Sequence, residues 1–306
     1  MPYLVLSPQD RAALAGARAD VWKGALSTQE FVRRNERLYA HPFGQTRMKS
    51  FGLPTEGKIG ASLDVLQTGL LIGDGKGGVC EATAWHIASV LTLPEYRGQG
   101  LASRLLQAYL TKERPEWSTL FSGIGPRFYE RFGFRASEFW QYSRPALGGL
   151  PAGTATPISL TEFLSAQHAA RKEKLRLSPV PACAFHLDIL WWDWYGALYQ
   201  FFAEIRGFTA PRGRFWRLET PEETVHLAAL ESRAAGCLDL WWASSHSDAV
   251  LDFLAAQAGV LGLPQFRWWS PVEHPEKKPK REMPMVRSAA GTASPPLLDA
   301  QMGEWW

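Results

Sequence analysis

An apolar segment leads through a glycine-containing turn straight into an amphipathic helix. Residues 86–92 are rich in the side chains that a buried β-strand prefers, and residues 103–110 repeat their apolar side chains at helical spacing. The turn between these segments, residues 97–102, carries Gly98 and Gly100. This order of segments predicts a strand, a tight turn and a helix that pack together in one α/β unit.

The turn is suited to hold an anion. The first amides of a helix have no partner within the helix, and the aligned peptide dipoles add partial positive charge at that end. Gly98 and Gly100 allow the backbone to approach a ligand closely, and Arg97 adds a formal charge. A dinucleotide-binding turn needs three glycines, whereas this turn reads Arg-x-x-Gly-x-Ala. We therefore expect it to bind a diphosphate that belongs to another kind of ligand.

A second motif lies further along the chain, where residues 128–134 read Phe-Tyr-Glu-Arg-Phe-Gly-Phe. Together the two motifs resemble the GNAT superfamily of acetyl-CoA-dependent N-acetyltransferases. The superfamily signature (Gln/Arg)-x-x-Gly-x-(Gly/Ala) is matched by Arg97, Gly100 and Ala102. The resemblance implies an acyl-CoA N-acyltransferase fold with a mixed β-sheet and acetyl-CoA as the co-substrate.

The resemblance also implies how the cofactor is held. In the superfamily the strand before the turn separates from its neighbour, and the pantetheine arm pairs with the free edge. This assigns pantetheine contacts to the backbone of Val90, Leu91 and Thr92. Ser122 stands where many members carry asparagine, and we expect its hydroxyl to contact the cofactor. The diphosphate is assigned to the turn, that is to Arg97, Gly98, Gln99, Gly100, Leu101 and Ala102.

Tyr129 is the expected general acid. Pro126 suits the first turn of a short helix and Gly133 suits its end, which places Tyr129 on that helix. The superfamily uses this tyrosine to protonate the departing thiolate. A phenol with a pKa of about 10 and a thiol with a pKa of about 8.5 are close enough for this transfer.

The general base has several candidates. Histone-directed members use a glutamate eleven residues before the first signature residue, and His86 stands at that position here. Its unperturbed pKa of about 6.5 suits the role, although a histidine on an apolar strand is more often a hydrogen-bonded core residue. Glu81, near the start of the same strand, and water are alternatives. The C-terminal carboxylate of Trp306 is a further one, since some two-domain relatives bring theirs into the active site.

The length of 306 residues allows two domains. A segment rich in proline and glycine, residues 145–153, marks the boundary. We predict a GNAT domain at residues 1–147 and a smaller, tryptophan-rich α+β domain at residues 155–306 that completes the acceptor pocket. The α/β domain should include a hairpin turn at residues 73–78 and a strand at residues 135–142. Helical patterns of the second domain lie at residues 160–176, 185–205 and 248–261.

Most of the chain's 14 tryptophans lie in the second half, among them pairs at residues 191–192 and 241–242. Core and interdomain packing is the ordinary reason for such residues. The alternative is an aromatic pocket for a cationic amine, which Asp188 and Asp193 would complete.

Composition excludes several other functions. Cys80, Cys183 and Cys237 are odd in number and widely spaced, so they form neither a zinc site nor a disulfide framework. A net charge of +3 is too small to indicate nucleic-acid binding. The chain has no charged-then-apolar leader and no run of the ~18 to 20 apolar residues that cross a bilayer. We expect a cytoplasmic protein that acts without a metal and without nucleic-acid or membrane partners.

The resemblance extends to one branch, the fungal lysine N-acetyltransferases of lysine catabolism and their bacterial relatives. It implies that the acceptor is a small molecule, free lysine, acetylated on its side-chain nitrogen. A protein or aminoglycoside-type amine acetyltransferase and a non-catalytic acyl-CoA-binding sensor are the alternatives. The matching positions are Trp22, Leu26, Ser27, Phe31, Arg34, Leu38 and Pro42, with residues 89–92, 94–100, 120–129 and 281–287.

Overall fold

The computed structural model describes residues 3–24, 26–137, 140–149, 154–207, 212–232, 236–270, 283–289 and 297–299. The first part of the chain contains β1 (Leu4–Val5), α1 (Pro8–Trp22), α2 (Thr28–Ala40), α3 (Pro42–Arg47), β2 (Met48–Thr55), β3 (Lys58–Asp74), β4 (Val79–Thr92), α4 (Leu101–Glu113), β5 (Trp117–Ser122), α5 (Arg127–Glu130) and β6 (Arg135–Ala136). The remainder contains β7 (Trp140–Pro145), β8 (Thr154–Pro157), α6 (Leu160–Leu177), β9 (Pro181–His186), α7 (Ile189–Arg206), β10 (Arg212–Glu219), β11 (Thr224–Ser232), β12 (Cys237–Ala243), α8 (Asp248–Val260), β13 (Gln265–Ser270), β14 (Met283–Ser288) and β15 (Leu297–Asp299).

Capping boxes fix the starts of α1 and α2. The hydroxyls of Ser7 and Ser27 each accept a hydrogen bond from the amide three residues on, and the acidic side chain there accepts one in return. Each helix carries one arginine on its buried face, Arg18 on α1 and Arg34 on α2, with exposed fractions of 3% and 4%. Arg18 contacts the first sheet directly, because it donates to Ser62 and Asp64 of β3.

The first sheet contains the strands in the order β1-β2-β3-β4-β5-β14-β6, with β9 beside β3 and β15 beside β9. The long strand β3 pairs with β2 over its first part and with β9 over residues 69–74. β4 is antiparallel to β3 and parallel to β5. β4 is thus a central strand with partners on both sides.

The second sheet has the order β7-β13-β12-β11-β10-β8. Helix α8 packs on it, and Phe253, Phe266 and Leu238 form part of a fully buried core there. All neighbouring pairs in this sheet are antiparallel except β12 with β13. The molecule therefore has two mixed sheets, each covered by helices.

The sheets do not follow the predicted division into residues 1–147 and 155–306. β7 precedes the predicted boundary but lies in the second sheet, whereas β9, β14 and β15 follow it and lie in the first. β14 is inserted between β5 and β6 and is antiparallel to both. Pairing between distant strands therefore decides which sheet each strand joins.

Three local predictions can be compared with the structure directly. The hairpin at residues 73–78 is present, and the Asp74 carboxylate accepts hydrogen bonds from the amides of Lys76 and Gly78 at 2.7 and 2.9 Å. The predicted strand at residues 135–142 is instead two strands in different sheets, β6 and β7. The helix expected at residues 185–205 begins only at Ile189, because the Asp188 carboxylate caps it by accepting from the Trp191 amide at 3.0 Å.

The tryptophans on α7 and β12 pack mainly against one another. Trp191, Trp194, Trp241 and Trp242 are all buried in one core cluster. The ring centroids of Trp192 and Trp241 are 4.5 Å apart. Most of these rings therefore fill the space between α7 and the second sheet.

Cys80, Cys183 and Cys237 form no disulfide, and two of them are buried. Among the residues that the structure describes, no three His, Cys, Asp or Glu side chains come together as a metal site would require. None of the described helices combines the length and the apolar character needed to span a membrane.

Candidate active site

The strands β4 and β5 separate in the middle of the first sheet. Their pairing runs from Ala84 opposite Trp117 to Ile87 opposite Leu120 and ends there. On its other side β4 carries a bulge, since Ser62 of β3 lies opposite Leu91 while Asp64 lies opposite Ala88. Three residue steps of β4 thus span two steps of β3, and the extra residue bends the strand.

The bulge is centred on Ser89. Its φ of +51° lies in the left-handed region, where a residue with a side chain is uncommon. Beyond Ser89 the β5 side of β4 is open, which leaves the backbone of Val90, Leu91 and Thr92 beside the cleft between the two strands. The structure therefore contains the separated strand expected for a pantetheine arm.

The glycine turn follows directly. Gly98 and Gly100 have φ values of +80° and +71°, and Gly100 is the N-cap of α4. The first helical bond is from the Arg104 amide to the Gly100 carbonyl at 3.0 Å. The main-chain amides of residues 98–103 donate no hydrogen bond to any described residue. This run of free donors at a helix N-terminus fits a diphosphate.

The glycine turn also borders an open groove along α4. The groove has a volume of about 730 Å³, and its lining includes the cationic side chains of Arg104, Lys112 and Arg131. Arg131 donates to the Ser103 hydroxyl at 3.1 Å and lies 5.0 Å over the Phe128 ring. The surface beside the free amides is therefore positively charged and large enough for the nucleotide part of a cofactor.

Tyr129 lies on the short helix α5 and is 7% exposed. Its ring packs edge-on against Phe128 and Phe134, with centroid distances of 4.8 and 6.1 Å. No described residue hydrogen-bonds its hydroxyl. Burial raises the pKa of Tyr129 to about 12. The phenol is therefore neutral at physiological pH and retains a proton to donate.

Ser122 ends β5 with its side chain buried. Its hydroxyl donates to the Gly125 carbonyl at 2.7 Å, which closes the loop between β5 and α5. Gly123 and Ile124 of this loop line the cleft. The Ser122 hydroxyl thus shapes the loop, and a contact between Ser122 and the cofactor stays a prediction.

His86 lies on β4 just before the strands separate, and it is 1% exposed. Its Nδ1 lies 3.0 Å from the Thr119 hydroxyl, and its ring lies near Phe121 and Phe185. Burial lowers the pKa of His86 to about 3. His86 reaches the cleft as predicted, but as a neutral imidazole with little affinity for a proton.

The other candidate bases lie elsewhere. Glu81 faces α6, where its Oε1 lies 2.8 Å from the Lys172 ammonium and 3.2 Å from the His168 ring. The hydrogen bond from Lys172 lowers the pKa of Glu81. Glu81 is absent from the described lining of the cleft. Trp306, whose carboxylate was the third candidate, lies outside the described residues.

A cavity of about 250 Å³ opens where β4 and β5 separate. It combines side chains from α1, α2 and α7 with the bulged strand and α5. It also reaches the predicted Val90, His86 and Tyr129, so these three residues share one site. The lining comprises Arg18, Trp22, Phe31, Arg34, Asn35, Leu38, Tyr39, Met48, Asp64, His86, Ile87, Ala88, Ser89, Val90, Phe121, Gly123, Ile124, Tyr129 and Trp194.

Asp64 and Arg18 form a buried ion pair in the wall of the cavity. Their two N–O distances are 2.9 and 3.1 Å, so the contact is bidentate. The Asp64 carboxylate also accepts from the hydroxyls of Tyr39 and Ser50 at 3.1 and 2.6 Å. Both charges are therefore satisfied within the protein.

The predicted role of Asp188 and Asp193 in an aromatic pocket can be compared with their contacts. Besides capping α7, Asp188 pairs with Arg47 at 2.6 Å. Asp193 lies 3.1 Å from the ring of His41. Neither carboxylate belongs to the described lining of the cavity. The tryptophans at residues 191–192 and 241–242 are also absent from that lining.

Sequence reasoning assigned no role in the site to the charged lining residues Arg18, Arg34 and Asp64. A signal was present for the two arginines. Arg34 falls on the apolar stripe of α2 between Phe31 and Leu38, and Arg18 follows the buried Leu14 at helical spacing. A charged residue on the buried stripe of a helix indicates a buried partner or a ligand.

Comparison with known proteins agrees with this geometry. Residues 64–136 match the model of the acetyltransferase (GNAT) domain. No curated protein is significantly similar in sequence.

The fold is similar to solved structures of bacterial proteins at low sequence identity. A GCN5-related N-acetyltransferase from Kribbella flavida has a TM-score of 0.61 and 16% identity over 95% of this chain and 73% of its own. Another from Anabaena variabilis has a TM-score of 0.61 and 14% identity over 94% and 72%. Eis1 from Mycobacterium abscessus has a TM-score of 0.53 and 14% identity over 94% and 73%.

These comparisons confirm the predicted fold class, a GNAT fold with mixed sheets and helices. They also support the predicted kind of enzyme. The match of residues 64–136 to an acetyltransferase (GNAT) domain is consistent with an acetyl-CoA-dependent N-acetyltransferase.

Proposed function

We propose that this protein transfers the acetyl group of acetyl-CoA to the side-chain amine of a small molecule, with free lysine as the acceptor. The observation that carries the proposal is a small cavity that both the bulged strand β4 and Tyr129 line. The resemblance of residues 89–92, 94–100 and 120–129 to the lysine-directed branch supports lysine in particular.

The residues present fit acetyl-CoA. The free amides of residues 98–103, together with Arg97, would hold the diphosphate at the start of α4. The open edge of β4 at residues 90–92 would pair with the pantetheine arm in the manner of an added strand. Acetyl-CoA, when bound, supplies an acetyl thioester whose carbon the amine attacks. A main-chain amide of the bulge would stabilise the negative charge on the thioester oxygen.

Proton transfers follow from the pKa values in the cavity. As the new C–N bond forms and the C–S bond breaks, Tyr129 donates its proton to the sulfur. A phenol with a pKa near 12 stays protonated until that step. His86, with a pKa near 3, is a poor base at neutral pH. We assign removal of the amine proton to water and give His86 the role of a neutral positioning group.

The size and charge of the cavity favour a small acceptor. Its volume of about 250 Å³ is below the ~300–1,000 Å³ of typical ligand pockets. Its charged lining residues are two arginines and one aspartate that is already paired, so a polycationic aminoglycoside would be repelled. A protein substrate would need an open groove, whereas three helices surround this cavity.

The test is an assay of thiol release from acetyl-CoA with a panel of amines. The panel contains free lysine, a lysine-containing peptide, an aminoglycoside and a reaction without amine. Turnover with lysine well above the other three supports the proposal. Faster turnover of the peptide or the aminoglycoside would show that the acceptor is a protein or an aminoglycoside and not a small amino acid. Binding of acetyl-CoA without turnover of any amine would indicate a sensor.

A further inference from the structure

The charges that line the cavity do not balance. Arg18 and Asp64 neutralise each other in a bidentate pair. His86 is neutral because burial holds its pKa near 3. The remaining charged side chain in the described lining is the guanidinium of Arg34. The cavity therefore has an excess of one positive charge.

Arg34 is held rigidly but is not neutralised. Its Nε and Nη2 donate to the Asn35 side-chain oxygen at 3.2 and 3.0 Å, and its guanidinium lies 4.3 Å over the Phe31 ring. No described carboxylate lies within ion-pair distance of it, and its Nη1 donates to no described residue. With an exposed fraction of only 4%, this cation is cut off from most of the solvent that would otherwise stabilise it.

A buried cation without an anion is costly, and proteins rarely keep one that has no function. Burial lowers the pKa of Arg34 to about 10, so the group is still charged at neutral pH. A planar guanidinium binds a carboxylate through paired hydrogen bonds. The missing counter-ion would therefore be supplied by a ligand of the cavity.

We propose that Arg34 binds a carboxylate of the acceptor, so that the enzyme acetylates amino acids whose reacting amine lies away from that carboxylate. The inference rests on the proposed acetyl transfer and deepens it, because it states why an amino acid is accepted and a plain diamine is not. Arg34 lies on α2 whereas Tyr129 lies on α5, and both line the same cavity. An acceptor that reaches both needs a spacer between carboxylate and amine, which the side chain of lysine provides.

The test compares two acceptors that differ only in this charge, L-lysine and its neutral amide L-lysinamide. We expect the wild-type kcat/KM to be roughly 10- to 150-fold higher for lysine, the range of hydrogen bonds to charged groups. In Arg34→Met the ratio should fall towards 1, and in Arg34→Lys it should be intermediate. Arg33→Met is the matched control, since it removes an exposed cation from the same helix and should keep the wild-type ratio.

A merely structural role for Arg34 would lower kcat/KM for both acceptors by the same factor, and that result would overturn the proposal. A wild-type enzyme that uses the two acceptors equally would also overturn it, as would a higher Kd for acetyl-CoA in Arg34→Met with an unchanged acceptor ratio. If Arg34→Met does not fold, judged by its thermal melt, Arg34→Lys gives the same comparison.

Failure of the proposed acetyl transfer can be told apart from failure of this inference. If no amine is acetylated, calorimetry with L-lysine and L-lysinamide measures recognition of the carboxylate directly. Tighter binding of lysine by the wild type that Arg34→Met abolishes supports the inference without any catalysis. Equal or undetectable binding of the two compounds by the wild type contradicts it.

Discussion

No described residue binds the hydroxyl of Tyr129, in contrast to the hydroxyls of Tyr3 and Tyr39. The hydroxyl of Tyr39 donates to Asp64, and that of Tyr3 donates to Glu113. We expect Tyr129→Phe to lower kcat by about 10²- to 10⁴-fold, the range of general acid catalysis, while the Kd for acetyl-CoA changes less than about twofold. Thiol release and calorimetry measure the two quantities.

The matched control for that variant is Tyr109→Phe. Tyr109 is buried in the same core as Tyr129, but it packs against Phe51 at 5.2 Å, away from the described cavity lining. Its loss of a hydroxyl should leave kcat near the wild-type value. Equal losses of kcat in both variants would mean that Tyr129 acts through packing and not as an acid.

His86 should make the protein sensitive to acid. Its pKa is about 3 in the folded protein and 6.5 in the unfolded chain, so below pH 6.5 the unfolded chain binds a proton that the folded protein does not. The stability is therefore complete above pH 6.5 and falls by about 1.4 kcal/mol per pH unit as the pH drops towards 3. In His86→Gln this contribution to the slope should disappear.

Urea unfolding of both proteins at pH 7.5 and pH 5 measures the effect. Between these pH values the wild type should lose about 2 kcal/mol more than His86→Gln, because other titrating groups are common to both. Equal losses would show that the imidazole of His86 is accessible to protons in the folded state, which would restore it as a candidate base.

At the scale of single elements, a substitution in the glycine turn tests whether its free amides bind acetyl-CoA. An alanine at Gly100 would meet no neighbouring atom, but the φ of +71° strains it by roughly 1–2 kcal/mol. We expect Gly100→Ala to lose this much stability and to weaken acetyl-CoA binding at least tenfold, because relaxation of the turn redirects the amides. Chemical denaturation and calorimetry check both effects.

Gly77 provides the control, since its φ is +94° and its surroundings are equally open, but it lies in the hairpin between β3 and β4. Gly77→Ala should lose similar stability and bind acetyl-CoA normally. If both variants bind the cofactor equally well, the turn is not the diphosphate site.

The elements also show which parts of the site a sequence can predict. The strand, the turn and α4 were predicted correctly, because they depend on neighbouring residues such as Gly98 and Gly100. The bulge at Ser89 was not predicted, since it arises from the register between β3 and β4. The charge balance around Arg34 depends on which carboxylate reaches which arginine, and only packing of α1, α2 and β3 decides that.

At the scale of the whole molecule, β14 is a strand from late in the chain that packs beside the candidate active site. Met285 is buried in the same core as Tyr129, and Val286, on the opposite face, is buried in the core that contains Trp191. Arg287 donates to the Phe132 carbonyl at 2.9 Å, in the turn that follows α5. The strand thus joins β5 to β6 in the first sheet and contacts the turn that follows the helix of Tyr129.

This position of β14 could not be predicted from sequence, because its partners β5 and β6 lie about 150 residues earlier. Two truncated chains isolate its effect. Residues 1–289 retain β14, and residues 1–270 lack it, while both keep the strands of the second sheet. Burial of Met285 and Val286 contributes roughly 1.5–3 kcal/mol each, and the loss of six paired residues adds to this, against a total stability of about 5–15 kcal/mol.

We therefore expect residues 1–270 to melt at a much lower temperature than residues 1–289, and to lose acetyl-CoA binding because β5 and α5 are no longer held. Circular dichroism melts and calorimetry measure the two properties. Residues 1–289 should bind acetyl-CoA as the full chain does. If residues 1–270 instead fold cooperatively and bind acetyl-CoA with unchanged affinity, the N-terminal domain is complete without β14. In that case the sequential division at residues 147–155 would describe the folding units better than the sheets do.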